Sequence, residues 1–328
     1  MPACCITYTT DDTYLFPTFV SAMQAHRHSS RKKADVAIFC IDLGETARRA
    51  FEPVCEAEGI RLISIKKSMI DGENAMLSRL FLDRFVPGEY SQILYMDGDV
   101  QIHDSLDPLI QANVPADRFL AANDPITFLL ADSGLQSRNL AAHMAAIGLT
   151  AAQSLRYFNS GVLRINRKGW DSIGMRAWEQ FKRMGRTSRF PDQDALNLVS
   201  LGNRLPMSLA WNFPVFLRNS RVAKQIQPRI THFMSSPKPW QGSFPPWNDQ
   251  ACVPYADALE QYPSLIPFRL NFPFHRRAFY HLHQNSKKFS EVFTWGWSKR
   301  RDRILNYETT CSLAAIPDHL HLEIESLA

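Results

Sequence analysis

The stretch QILYMDGDVQIHD, residues 92–104, sets Ile93, Leu94, Tyr95 and Met96 directly before Asp97-Gly98-Asp99. An apolar run of this length reads as a buried strand, here followed at once by two carboxylates one residue apart. The pattern recurs on either side. Short apolar runs over 3–9, 36–40, 61–65 and 119–122 read as further strands, and 16–25, 45–58 and 74–84 carry apolar residues at helical spacing between them. Such alternation predicts an α/β fold: a mostly parallel sheet with helices on both faces, three layers in all. Ligands of these sheets gather at the carboxyl ends of the strands, and Asp97 and Asp99 stand at one.

Further along, a helix is expected around 140–147, a strand over 158–165 in YFNSGVLRIN, and a helix over 170–184. PDQDALNLV (191–199) opens another helix, with Asp192 in the first turn where an acid suits the helix dipole. RITHFM (229–234) is a short late strand, after which proline becomes frequent. The boundary is expected near Trp247, dividing a main domain, 1–247, from a C-terminal extension, 248–328. No internal repeat or low-complexity tract stands out.

The chain has 328 residues, 45% of them hydrophobic, enough for a large core. No run of about 18 apolar residues occurs, so no bilayer-spanning helix is expected. Residues 3–8 follow no basic residue and soon meet Asp11-Asp12, which suits a first strand and not a secretory signal. Six cysteines without C-x-x-C spacing predict a reducing, cytoplasmic compartment and no disulfide framework. The net charge of +5 is unevenly placed, with eight Lys and Arg against two acids between residues 275 and 303.

In an extended segment, side chains at i and i+2 point the same way. Asp97 and Asp99 can therefore converge on one cation, and Gly98 lets the backbone bend with no Cβ in the way. Two hard oxygen ligands suit Mg²⁺ or Mn²⁺ better than Zn²⁺. The plain alternative for an isolated D-x-D is a turn with solvated acids. A haloacid-dehalogenase-like phosphatase would need D-x-D-x-[TV] early in its domain, whereas Gln101 fills the fifth position here and three predicted strands come first. Asn159-Ser160, set inside an apolar run, asks for a ligand or backbone partner, because buried polar groups left unbonded are costly.

Six blocks in order, TYTTDDTY (7–14), SRLFL (78–82), ILYMDGDV (93–100), YFNSGVLRIN (157–166), PDQDALN (191–197) and HFMSSPKPW (232–240), resemble family 8 glycosyltransferases. These are retaining enzymes of the GT-A fold, among them bacterial lipopolysaccharide galactosyl- and glucosyltransferases and the glycogenins. The resemblance covers about residues 3–247. It implies a UDP-sugar donor, UDP-glucose or UDP-galactose, with Mn²⁺ as cofactor and Mg²⁺ as the alternative ion. Asp97, Asp99 and His232 match the family's metal ligands, and Lys238 matches the cation set against the pyrophosphate. The first block matches the uridine pocket, with Asp11 for the uracil N3–H, Tyr14 for stacking, and Thr9 and Thr13 as lining. A capping role for Asp11 or Asp12 is the competing reading of that loop. Arg79 and Gly98 match donor-side positions; the alternative for Arg79 is a solvated surface residue. Asp124, Asn159, Ser160 and the pair Asp192-Gln193 match positions around the transferred sugar, while Trp211 and Phe213 of WNF read as packing.

For a retaining transfer the resemblance implies an amide, Gln193, facing the sugar. An amide is a poor nucleophile, so front-side attack beside the departing UDP is expected, with Asp192 fixing sugar hydroxyls. The chain departs from the family pattern at Ser235, where glycine is usual, and at Thr13, where asparagine is frequent.

The segment HRRAFYHLHQNSKKFSEVFTWGWSKRRDRIL (275–305) mixes cations with Phe279, Tyr280, Phe289, Phe293, Trp295 and Trp297. It reads either as an anchor to an anionic membrane surface or as a helical subdomain packed on the sheet with a solvated basic face. No nucleic-acid fold accompanies it. The expected activity is hexosyl transfer to a glycan or lipid-linked acceptor in lipopolysaccharide-type synthesis, cytoplasmic or peripheral on the cytoplasmic face of the inner membrane. A catalytically silent nucleotide-sugar or glycan binder on the same fold is the alternative.

Overall fold

The structure, a computed structural model, describes residues 2–184, 188–270, 272–296 and 299–311. Trp297 and residues 312–328 of the expected extension lie outside these. The strands are β1 (Cys4–Thr10), β2 (Ala34–Ile41), β3 (Arg61–Ile65), β4 (Gln92–Met96), β5 (Val100–Ile102), β6 (Phe119–Asn123), β7 (Phe158–Asn166), β8 (Arg204–Pro206), β9 (Phe213–Pro214) and β10 (Ile230–His232). In the first half the helices are α1 (Leu15–Arg27), α2 (Glu45–Ala57), α3 (Leu82–Phe85), α4 (Asp107–Gln111), α5 (Ile126–Leu129) and α6 (Leu135–Ala146). They continue as α7 (Ala151–Ser154), α8 (Trp170–Met184), α9 (Pro191–Ser200), α10 (Val253–Gln261), α11 (Phe274–Gly296) and α12 (Lys299–Thr309).

Seven strands form the main sheet in the order β3-β2-β1-β4-β7-β6-β8, and only β7 runs against the others. The expected α/β architecture, mostly parallel and three-layered, is what the chain adopts. Side chains of a strand alternate between faces, and two separate cores follow. Leu94 and Met96 of β4 join Ile6, Ile38 and Phe16 on one face. Ile93 and Tyr95 join Phe39, Phe119 and Trp170 on the other. Strands buried on both faces must be apolar nearly throughout, which is why these runs were plain in the sequence.

Two expectations need correction. The segment over 74–84 is not a single α-helix: Ala75–Phe81 is a 3₁₀ turn that passes into the short α3. Nor does the chain stop at the carboxylates, because it crosses Asp97-Gly98-Asp99 straight into β5. That strand belongs to a second, three-stranded sheet of order β5-β10-β9, and three residues were too few to show a period.

The C-terminal helices pack on the main body. Tyr255, Ala258, Leu265, Trp295 and Ile304 share a core with the sheet residues. Arg300 and Arg303 of α12 both pair with Asp132, just beyond α5. Among the described residues, no helix is long and apolar enough to cross a membrane.

Candidate active site

Because β7 is reversed, its first residues lie at the carboxyl edge of its neighbours. Asn159, Ser160 and Gly161 thereby meet the ends of β4 and β6, and the Asp97 N–H donates to the Gly161 carbonyl at 2.8 Å. The second sheet closes the site from the other side. Pairing of β10 with β5 sets His232 opposite Val100, and the Phe233 N–H donates to the Asp99 carbonyl at 2.9 Å. One ligand atom from each of Asp97, Asp99 and His232 lies within 4.8 Å of the others, and His232 Nε2 is 3.2 Å from Asp99 Oδ1.

Two glycines make this approach possible. A Cβ on Gly161 would stand 2.2 Å from His232 Cε1 and 2.9 Å from Asp97 Oδ2. At Gly98 a Cβ would stand 2.2 Å from Thr18 Oγ1 of α1. Gly98 is therefore required by close packing on α1, not by the bend expected from its place between the acids, since its φ is not positive.

Arg79 is buried, so the surface reading fails. It reaches Asp97 Oδ1 at 2.8 Å and Asp192 Oδ2 at 3.1 Å, and donates to the Ser160 carbonyl and hydroxyl at 2.9 Å each. Burial raises the pKa of Asp97, with Arg79 opposing. Burial acts on Asp99 in the same sense, but Lys238, 2.5 Å from Oδ2, and His232 together hold it well below the ordinary carboxylate range.

Beside the acids lies an amide network whose orientation is fixed from the backbone. The Ser160 N–H donates to Gln193 Oε1 (3.1 Å) and the Gly161 N–H to Asn159 Oδ1 (3.0 Å). Asn159 Nδ2 then donates to Gln193 Oε1 and Asp124 Oδ2, and Gln193 Nε2 donates to Asp124 Oδ2. Asn212 Nδ2 donates to Asn159 Oδ1 at 2.8 Å, which turns its own Oδ1 toward His232 Nδ1, also at 2.8 Å. An amide oxygen only accepts, so Nδ1 carries the proton and Nε2 is the nitrogen left facing the carboxylates. Burial raises the pKa of Asp124, against the hydrogen bonds it receives from the Ile126 N–H, Asn159 and Gln193.

A cavity of about 770 Å³ collects these groups: Arg79, Asp97, Asp99, Asp124, Asn159, Ser160, Asp192, Gln193 and His232 all line it, as does Ser235 at the departure from the family pattern. Thr9, Asp11, Thr13, Tyr14, Gly98 and Lys238 do not. Thr9 Oγ1 is 3.3 Å from Tyr95 Oη, which donates to Asp97 Oδ1 at 2.8 Å. Asp11 Oδ1 accepts the Tyr14 N–H as a helix cap, and Asp12 accepts the Gly44 N–H. Thr13 is exposed, and the Tyr14 ring packs edge-on against Trp240 with centroids 5.2 Å apart.

Sequence reasoning missed Asn212, Gly161 and Asp194. Asn212 gave a usable signal, a polar residue between Trp211 and Phe213 in the same way that Asn159-Ser160 interrupts β7. Asp194, fully buried, binds Tyr157, His143 and Ser188 and so pins the first turn of α9.

Among solved structures, the fold is similar to the apo bifunctional glycosyltransferase WbbM (TM-score 0.65, 16% identity, 81% of this chain and 51% of that one). It is also similar to galactosyltransferase LgtC in complex with donor and acceptor sugar analogues (TM-score 0.59, 21% identity, 84% of this chain and 99% of that one). The fold is therefore that of the GT-A glycosyltransferases. Residues 5–243 match glycosyl transferase family 8, and the chain belongs to that family. Lipopolysaccharide glucosyltransferase WaaO of Escherichia coli K12 is 22% identical over 256 residues, 72% of each chain. A lipopolysaccharide 1,2-glucosyltransferase of Escherichia coli is 24% identical over 233 residues, 66% of this chain and 64% of its own length. The chain spans about half the length of WbbM.

Proposed function

We propose that this glycosyltransferase is a retaining hexosyltransferase that moves glucose or galactose from a UDP-sugar to a glycan or lipid-linked acceptor of lipopolysaccharide type. The observation that carries the reading is the convergence of Asp97, Asp99 and His232 in one cavity with Gln193, in a family 8 chain whose relatives include lipopolysaccharide glucosyltransferases.

Two carboxylates and one imidazole fit Mn²⁺, which accepts nitrogen more readily than Mg²⁺, the alternative ion. Asn212 supports the fit by turning Nε2 of His232 inward. When bound, the ion supplies positive charge against the diphosphate of the departing UDP. Lys238 is on the same side of the site, bonded to Asp99, and adds an ammonium there. Thr9, Asp11, Thr13 and Tyr14 would receive the uridine at the end of β1. Asp124 and Asp192 offer carboxylate oxygens to the sugar hydroxyls, and Asn159, whose Oδ1 already accepts two bonds, holds Asp124 and Gln193 in place beside them. The acceptor hydroxyl oxygen bonds to the anomeric carbon on the face that UDP leaves, the carbon–diphosphate oxygen bond breaks, and the hydroxyl proton passes to the released diphosphate. Two donors already occupy Gln193 Oε1, which makes it a poor nucleophile. It serves instead as a fixed dipole toward the positive charge growing on the sugar.

The outward face of α11 exposes Phe279, Leu282, Phe289 and Phe293 with Arg276, Arg277 and Lys288 along the same helix. That combination supports peripheral attachment to an anionic membrane, at the cytoplasmic face of the inner membrane in this reading.

The test is acceptor-free hydrolysis of a panel of UDP- and GDP-hexoses with Mn²⁺ or EDTA. UDP release from one UDP-hexose, abolished by EDTA and by Asp99→Asn, is expected. Failure of UDP to bind in calorimetry with Mn²⁺ present would overturn the assignment.

A further inference from the structure

The cavity has two walls of different origin. Asp97, Asp99, Asp124, Asn159, Gln193 and His232 form one, all within the family-matched residues 5–243. The other group is Lys287, Ser290, Glu291, Thr294 and Trp295 of α11 with Arg300 of α12, beyond that match. Positions 287, 290/291 and 294/295 recur at three and four residues and so share one helix face.

That face is built to stay in place. Asn219 Nδ2 donates to Glu291 Oε2 at 2.7 Å, and Lys287 Nζ stands 3.6 Å from Glu291 Oε1. The Trp295 ring packs on Phe216 with centroids 5.2 Å apart, and Gln284 donates to the Ser236 carbonyl. The polarity of α11 is inverted. A surface helix normally turns its apolar stripe inward, whereas α11 lines the cavity with Lys287, Ser290, Glu291 and Thr294 beside the buried Trp295 and leaves Phe279, Leu282, Phe289 and Phe293 exposed. Glu291 is buried to 6% exposure, a costly place for a carboxylate unless polar partners surround it.

Donors and acceptors packed beside an aromatic ring are the chemistry that recognises a pyranose, whose hydroxyls both give and take hydrogen bonds around an apolar ring face. We propose that the α11 wall is the acceptor subsite, where Lys287, Ser290, Glu291 and Thr294 hold a terminal pyranose of the acceptor beside Phe216. This rests on the transferase reading above. It assigns acceptor recognition to the C-terminal helix, outside the part of the chain that matches the family.

The full chain is assayed with its UDP-hexose and a panel of p-nitrophenyl hexosides as probe acceptors, measuring transfer and donor hydrolysis in the same sample. The ratio of the two is insensitive to the fraction of molecules folded. Ser290→Trp, which fills this side of the cavity, lowers the ratio at least about tenfold, and Lys287→Met lowers it through acceptor KM. An unchanged ratio in both variants overturns the proposal, as does wild-type hydrolysis without transfer to any hexoside. Absence of UDP release from every donor by the wild type would instead bring down the transferase reading itself.

Discussion

Asn212 divides its two side-chain atoms between two tasks. Its nitrogen is tied to Asn159 in the amide network and its oxygen to His232 beside Asp97 and Asp99. Partners that orient a ligating imidazole commonly set metal affinity by about 10–100-fold. Asn212→Leu should therefore weaken Mn²⁺ binding by at least about tenfold, read by electron paramagnetic resonance titration. Asn212→Asp keeps an acceptor for Nδ1–H and should stay within about threefold of the wild type. Equal losses in both would show that the Asn212 oxygen is not what orients His232. At this scale the sequence announced which residues would meet where they fall in short motifs, as at Asp97, Asp99, His232 and Gln193, which all line one cavity. It was silent where the requirement comes from distant chain. Nothing beside Gly161 announces that His232 will lie against it, and nothing in the local polarity of TTDDTY announces that Asp11 will cap the turn at Tyr14.

Among the elements, α12 is held by polar groups as well as by Ile304 in the core. Glu308 accepts from Ser208 Oγ and the Leu209 N–H, and Tyr307 Oη accepts from Arg204 and donates to the Met207 carbonyl. Burial raises the pKa of Glu308, with the Ser208 hydrogen bond opposing. The folded chain thus holds this proton more tightly than the unfolded chain. Stability from this group is full below the unfolded value, about 4.3, and falls as pH rises through the raised folded value. Glu308→Gln should remove that component, so the gap in urea midpoint between variant and wild type should shift in the variant's favour as pH rises across this window. A gap independent of pH would refute it. Long elements, such as α8 and the buried strands, could be read from period and length. The 3₁₀ turn at Ala75–Phe81 could not, because apolar spacing of three and four suits either helix type.

For the whole molecule, the basic segment that allowed two readings proves to have two faces: one lines the cavity and one is exposed. If the exposed face meets lipid, Phe289→Ser with Phe293→Ser should weaken binding to phosphatidylglycerol-containing vesicles by about tenfold or more, and raised salt should weaken the wild type. Equal sedimentation of both proteins with vesicles would argue against a membrane role for this face. The large-scale arrangement was legible because strand and helix alternate so regularly. The second sheet was not, since its strands are two or three residues long and come from distant parts of the chain. That sheet gives the Asp97-Gly98-Asp99 crossing a mechanical meaning. Asp97 terminates one sheet, while Asp99 and His232 belong to the margin of the other, so the crossing is a seam. An ion gripping all three would rivet the sheets together, and its binding free energy would add to the resistance of the seam to opening.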